Sequence, residues 1–329
     1  MLDDELQWEE TACNWCGSFE AQLIFEGPDR LEHLPGCFRL VRCSRCGLIR
    51  QNPRLAWASL QSYYPEGYIS HPRLAKDEKN PIKRWDKRYG PWKRLRAVQR
   101  YQPGGRLLEV GCGSGQFLEE ALRTGKWTVV GVEPSPHAAS YARQRLGGQI
   151  YQGRFSEIDL AAESFDAIVL WNVLEHLESP VDDLRHAVRL LKAGGWLAFS
   201  IPNLDSLEAR IFGPYWVGWD LPRHLYLFPR QALEEILDEV GLKVAEYRCI
   251  SSSYSVLGLS LDFWAQSWGE DHPHLKASLL QVYNSLPMRA LLVPLLWSLD
   301  RLKRSTLITV FAQKASVSTH GNVHGPDLS

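Results

Sequence analysis

The sequence predicts an α/β fold: a parallel sheet wound on both faces by helices, with a small metal-binding module ahead of it. Three observations carry that expectation. Apolar runs of strand length alternate with amphipathic stretches of helical length from Leu107 onward. The first of these runs ends in a glycine-rich turn, "LLEVGCGSGQFLEEA". Ahead of them lie two CxxC pairs. Bulk properties fit a globular chain: 329 residues, 45% hydrophobic, net charge −1. Charge as a whole therefore points to neither nucleic acid nor membrane.

The N-terminus, "MLDDELQWEE", is acidic and lacks the apolar core of a signal peptide. Cys13 and Cys16 are separated from Cys43 and Cys46 by 26 residues. Each pair is a tight turn presenting two thiolates, and two such turns close a tetrahedral Zn²⁺ site with no open position. Such a site is structural, and it folds a segment (residues 1–58) too short to build its own core. No thioredoxin-like strand and helix flank either pair, so a redox role is not expected. Cysteine used in this way suits a reducing, cytoplasmic setting. Residues 59–100 read as a basic linker and helical segment. Residues 71–100 hold eleven Lys/Arg against three Asp/Glu. A solvated linker is the simpler reading, and contact with an anionic partner is the sharper one. The ribbon region itself has no basic, aromatic-interleaved stripe, so nucleic acid is not favoured.

Leu107–Val110 is a short buried strand, and a helix starts near Gly115. The turn between them weakens two phosphate-binding readings. A dinucleotide loop needs a glycine where Gln116 stands, and a triphosphate loop needs Gly-Lys-Ser/Thr. S-adenosylmethionine (SAM) remains. Glu109 is expected to meet the ligand's ammonium. The turn Gly111, Cys112, Gly113, Ser114 and Gly115 is expected to offer backbone to the methionine portion, where side chains would collide. The next strand, "WTVVGVEPS", ends in Glu133, 24 residues after Glu109, beside Pro134. That is the place for an acid binding ribose hydroxyls. In "QGRFSEIDL", Phe155 is the candidate for stacking on adenine, with Ser156 or Glu157 at its edge.

A helix over Pro136–Leu146 follows, with proline in its first turn. Phe165–Trp171 is a buried strand, and Trp171 and Asn172 end it at the ligand edge. "VDDLRHAVRLLKAGG" is a helix closed by glycines, and "WLAFSIPN" is a strand. The connection 204–229 carries five aromatics between Phe212 and Tyr226, and its length reads as a functional lid. The insertion 251–303 precedes a last strand at 306–313. Within it "SLPMRALLVPLLWSLDRLKR" is apolar, then basic, and too short to span a bilayer. It is expected to pack on the core, or to make peripheral membrane contact through residues 286–304. The domain runs from 101 to 313, and residues 314–329 read as a disordered tail.

"LLEVGCGSG", "GVEPS", "FDAIVLWNVLEHL" and "LLKAGGWLAFSIPN" resemble the successive motifs of class I SAM-dependent methyltransferases. The resemblance implies a Rossmann-like, seven-stranded doubly wound sheet. With "VRCSRCGLIRQNPR" and "SYYPEGYIS", the chain resembles the zinc-bearing sugar C-methyltransferases and the methyltransferases of polysaccharide clusters. That likeness implies that Tyr64 and Tyr68 reach the active site, Tyr63 less so, and that His176 and His224 act there. Methyl transfer from a sulfonium is an in-line displacement, and removal of a proton suits a histidine near its ordinary pKa. His176 follows a strand at the sheet's carboxyl edge, and His224 lies in the lid. His224 is expected to be the base and His176 its orienting partner. Those relatives carry an acid just before the second histidine. Here Arg223 stands there, and it is expected to bind a phosphate or carboxylate of the substrate. The expected activity is methyl transfer to a small, anionic acceptor such as a sugar nucleotide or glycan precursor. The rivals are an RNA or protein methyltransferase, and a non-catalytic SAM-binding, zinc-ribbon interaction protein.

Overall fold

The computed structural model describes residues 6–65, 79, 81–147, 149–250, 254–268 and 273–315. Tyr68, much of the basic segment from 71 and the tail from 316 lie outside these residues. Strand β1 (Trp8–Glu9) precedes a meander of β2 (Ala21–Gly27), β3 (Phe38–Cys43) and β4 (Ile49–Gln51). β5 (Arg54–Leu55) returns to pair with β1. Each CxxC turn closes on a glycine with positive φ, Gly17 at +72° and Gly47 at +76°. Their N–H groups donate back to the carbonyls of Cys13 and Cys43. Glycine adopts this left-handed backbone without a Cβ penalty. The two turns face each other, bringing the four sulfurs within 4.8 Å of one another.

After α1 (Trp57–Leu60) and α2 (Pro81–Val98) the chain enters its main sheet. The elements run β6 (Gly105–Val110), α3 (Gln116–Arg123), β7 (Trp127–Glu133), α4 (Pro136–Leu146), β8 (Gln149–Gln152), β9 (Phe165–Trp171), α5 (Pro180–Leu190) and β10 (Leu191–Pro202). They continue as α6 (Leu207–Phe212), β11 (Tyr226–Leu227), α7 (Arg230–Glu239), β12 (Leu242–Arg248), α8 (Tyr254–Gln266), α9 (Pro273–Tyr283), α10 (Leu286–Arg301) and β13 (Leu307–Lys314). The order across the seven-stranded sheet is β12-β13-β10-β9-β6-β7-β8. Leu107, Leu108, Val130, Ile168, Val169 and Phe199 are fully buried. Strands covered on both faces have no reason to alternate apolar with polar, hence the continuous apolar runs.

Three features differ from the sequence-based expectation. The sheet is not wholly parallel: β13 runs antiparallel to both neighbours. The reason is the helical insertion α8–α10. It leaves β12 and re-enters β13 at the same, carboxyl edge of the sheet, so the returning strand must be reversed. Helix α5 ends at Leu190 rather than at the glycines. Leu191 already pairs with Phe165, and Gly194 (φ +73°) lies where the register of β10 shifts. The last strand extends to Lys314, whose ammonium donates to the Leu191 carbonyl at 2.7 Å, so the tail does not begin at 314.

The connection 204–229 is not a free lid. Its β11 pairs with β4 as the fourth strand of the N-terminal meander. Gln51 reinforces the seam, with its side-chain amide donating to the carbonyls of Pro222 (2.8 Å) and His224 (2.7 Å). Trp216, Leu221, Leu225 and Tyr226 are buried in a core that also holds Phe38 and Leu40 of β3 and Leu108 of β6. The cysteine-bearing module and the main sheet therefore share one core through this connection.

Candidate functional site

The carboxyl ends of β6, β7, β9 and β10 open onto a cavity of about 1220 Å³. The glycine turn forms one wall. Gly111 (φ +67°) sits against Val173, where an added Cβ would lie 2.5 Å from a side-chain methyl. Glu133 braces the turn: one carboxylate oxygen accepts from the Gly113 N–H at 2.8 Å, the other from Ser135 N–H at 2.9 Å. Cys112, Ser114 and Pro134 also line the cavity. Gly115 does not. Its missing side chain makes room for Leu146 of α4, whose Cδ1 lies 2.4 Å from the position of an added Cβ. The missing side chain of Gly115 thus serves helix packing.

Glu109 is buried at the cavity floor, and its Oε2 has no hydrogen-bond partner among the described residues. Burial pushes its pKa up to about 8; Arg94 opposes that shift and Glu133 adds to it. Arg94 comes from α2, which is anchored to α3 by the Arg88 fork on Glu120, two hydrogen bonds of 3.0 Å. Its guanidinium lies 5.4 Å over the Trp171 ring. Asn172 lines the cavity at positive φ (+56°), and Phe155 lines it with its ring edge-on to His186 at 4.6 Å. Of the two residues after Phe155, Ser156 faces the cavity. Glu157 instead accepts from the Arg154 N–H and closes its own turn.

The far end of the cavity holds Tyr64, Glu175, His176, Asp220 and His224. The His176 and His224 rings meet edge to face at 4.7 Å. Nδ1 of His176 lies 3.0 Å from the Arg223 carbonyl and 3.1 Å from the Tyr64 hydroxyl. Nδ1 of His224 lies 2.8 Å from the Gly218 carbonyl. A carbonyl only accepts, so each Nδ1 carries the proton and each Nε2 keeps its lone pair. Burial lowers the pKa of both rings, that of His176 to about 3. Both are neutral at pH 7. Glu175 is fully buried with neither carboxyl oxygen partnered among the described residues, and burial pushes its pKa up to about 8. Glu175, His176 and His224 each bring one ligand atom within 4.8 Å of the others. Tyr63, by contrast, turns away and donates to the Pro35 carbonyl.

Arg223 does not face the cavity as a substrate cation. It is completely buried and forks onto Asp29, with contacts of 2.6 and 3.1 Å. It also donates to Asp220 at 2.7 and 3.0 Å. Two buried carboxylates need that charge more than a ligand would. Asp220 presents its other oxygen, Oδ2, 4.0 Å from His224 Nε2. An acid thus stands beside the second histidine, four residues before it rather than adjacent. Asp220 reaches this place with φ +25°, backbone that non-glycine residues rarely adopt.

A methyltransferase-domain family model matches residues 83–247. The chain belongs to this family. It is a SAM-dependent methyltransferase. Two relatives share one name, ubiquinone biosynthesis O-methyltransferase. That of Thiobacillus denitrificans is 32% identical over 167 residues, covering 46% of this chain and 72% of the relative. That of Xanthomonas axonopodis pv. citri is 36% identical over 158 residues, covering 43% and 66%. Among solved structures, phosphoethanolamine N-methyltransferase 2 of Haemonchus contortus, in complex with SAM, is similar. Its TM-score is 0.44 at 20% identity, over 68% of this chain and 52% of that one.

In this methyltransferase, the fold gathers Glu109, Gly111, Cys112, Gly113, Ser114, Glu133, Pro134, Phe155, Trp171 and Asn172 on one cavity with Tyr64, His176 and His224. Gly115 stays outside it, and Tyr68 lies outside the described residues. Arg94, Glu175 and Asp220 were not singled out as site residues from the sequence. Arg94 hid in a run of basic residues that read as solvated. The turn that presents Asp220 leaves no mark in the sequence.

Proposed function

We propose that the enzyme transfers a methyl group from SAM to a hydroxyl of a small-molecule acceptor, with His224 as general base. The observation that carries this reading is the pair of neutral imidazoles at the far end of the cavity whose near end is the glycine turn. SAM supplies an electrophilic methyl on a sulfonium. The residues present suit it: Glu109 has an unpartnered oxygen for its ammonium, Arg94 beside it suits its carboxylate, and Glu133 faces the cavity for the ribose diol. The acceptor oxygen would take the methyl in line as the carbon–sulfur bond breaks to leave a neutral thioether, and its proton would pass to Nε2 of His224. The Gly218 carbonyl holds the ring in the required tautomer, and Asp220 stabilises the imidazolium that forms. His176, held by Tyr64 and the Arg223 carbonyl, positions the acceptor.

Oxygen is favoured as the acceptor atom because the curated relatives are named O-methyltransferases. A sugar nucleotide is disfavoured. Among the described residues the cavity-lining cations are Arg94 and Arg154, and Arg154 is paired with Glu178, so there is no basic cluster to hold a diphosphate. The four cysteines suit a structural Zn²⁺. Sulfurs on a tetrahedral Zn²⁺ lie about 3.8 Å apart, from Zn–S bonds of about 2.3 Å. The Cys13–Cys46 and Cys16–Cys43 separations are 3.5 Å. The zinc would fix β3 and β4, and through β11 the backbone that carries His224. The test is incubation with methyl-labelled SAM and a metabolite extract, with identification of the product by mass spectrometry. A label on carbon or nitrogen, with no O-methyl product, would overturn the acceptor assignment.

A further inference from the structure

We propose that helices α9 and α10 dock the enzyme on an anionic phospholipid bilayer, with their outer apolar face among the lipids and arginines at the phosphates. Helix α10 carries apolar residues on both its inner and its outer side. Its inner side, Leu296 and Leu299, packs with Tyr283 of α9 and Tyr254 of α8. Its outer side is apolar too: Leu286 is 79% exposed, Leu291 69% and Trp297 57%. Leu275 and Val282 of α9 extend this surface. A helix with apolar residues on both sides is stable only where both are covered, and water covers neither well.

The charges identify the cover. Residues 286–304 carry Arg289, Arg301, Lys303 and Arg304 against one acid, Asp300. Asp300 accepts from Ser305. Among the described residues no carboxylate pairs with Arg301 or Lys303, whereas Arg289 turns inward and lies 4.9 Å over the Tyr254 ring. Arg301 stacks its guanidinium 4.2 Å over the Trp297 ring. That pairing suits the headgroup level, where an aromatic ring sits half in lipid and a long cation reaches the phosphates. A second copy of the chain fits less well, because a twofold contact would set these cations against themselves. Neither helix alone is long and apolar enough to cross a bilayer, although the pair together reaches that length and composition. At 1.5 Å per residue, the 16 residues of α10 reach only about 24 Å, and the two helices are bent by 64°. They lie flat on the surface instead.

The place in the fold gives the contact a use. The insertion leaves and re-enters the sheet at the edge where the cavity opens, and Val256 and Leu259 of α8 line the cavity wall. The docked face therefore lies behind that wall, and an acceptor dissolved in lipid has a short way to the histidines. Docking itself does not depend on the methyl-transfer reading, and its test needs no turnover. Full-length protein is floated with vesicles of phosphatidylcholine alone and of phosphatidylcholine with phosphatidylglycerol. Binding to the anionic vesicles is expected, weakened by salt. Leu291→Glu/Trp297→Glu should lose it at least tenfold while keeping the thermal melt and SAM affinity, because both side chains are exposed. Arg301→Gln and Lys303→Gln should each cost about fivefold. Wild-type protein that stays unbound with both vesicle types overturns the proposal, as does equal binding to neutral vesicles. A concentration-dependent dimer abolished by the glutamate variant would assign the face to a second copy and overturn it as well.

Discussion

Replacing Arg223 by methionine tests how the N-terminal module holds the acceptor end of the site. The five N–H groups of the guanidinium make six polar contacts, one N–H being shared, to Asp29, Asp220 and the carbonyls of Tyr63 and Leu221. Methionine fills much of the volume and removes the charge. Two buried carboxylates then lose their cation. Breaking a buried ion pair from one side costs about 3–5 kcal/mol. At about 2 °C per kcal/mol for a chain of this size, Tm should fall by about 6–10 °C. The pH dependence separates this mechanism from simple loss of packing. In the native protein Arg223 leads the influences that hold the Asp220 pKa below its usual range, despite burial. That contribution is present above the unfolded pKa of about 3.9 and is lost as pH falls through the lower folded value. In the variant, burial acts on Asp220 without its guanidinium, and the folded pKa rises above the unfolded one. The penalty is then largest at neutral pH and is relieved as pH falls toward the raised value. Thermal melts from pH 7 to pH 5 should show the gap between variant and wild type closing. A gap below about 1 kcal/mol, or one that does not change with pH, would refute the reasoning. Arg223→Lys should recover little, because one ammonium cannot replace a fork on two carboxylates.

Glu133→Ala should weaken SAM binding by about 1–3 kcal/mol by calorimetry, and unchanged affinity would remove Glu133 from the site. Arg94→Met should weaken it by about 1.5–3 kcal/mol, as expected for a charged hydrogen bond. With its pKa near 8 in the free enzyme, Glu109 should release a proton when it meets the ammonium. SAM affinity should therefore rise with pH toward about 8, above which the ligand's own α-ammonium loses its proton, and the binding heat should depend on the buffer; a buffer-independent heat at neutral pH would contradict this. Metal analysis should give one Zn²⁺ per chain, lost in Cys13→Ser/Cys43→Ser. A second equivalent lost in His176→Ala would assign the histidine cluster to a metal and end the base role. Because burial lowers the His224 pKa, kcat should stay level as pH falls past about 6.5, and a break at or above that value would count against His224 as the base.

The sheet was legible because its strands are continuous apolar runs, and burial on both faces leaves no other pattern for them. The glycine turn was legible for a related reason: a strand ending in Glu109, a turn free of side chains and Glu133 at the next strand end are local features at fixed spacing. What was not legible depends on contacts between distant segments. Gly115 looks like the other turn glycines, and only the approach of Leu146 shows its different task. Arg223 reads as a free cation until Asp29, 194 residues earlier in the chain, is brought against it. The connection 204–229 reads as a lid because nothing in its sequence reveals that Tyr226 will pair with Arg50. Its aromatics are core residues that join two modules.

That one cavity holds SAM at the glycine turn and passes an acceptor proton to His224 is open to a single decisive comparison. The most direct measurement is the initial rate of labelled methyl transfer by His224→Ala, on the product identified with the wild-type enzyme, beside its SAM affinity. The expected result is a loss of about 10²–10⁴-fold in kcat with SAM affinity nearly unchanged. A variant that transfers methyl groups at the wild-type rate, or one whose loss tracks weakened SAM binding, would contradict it.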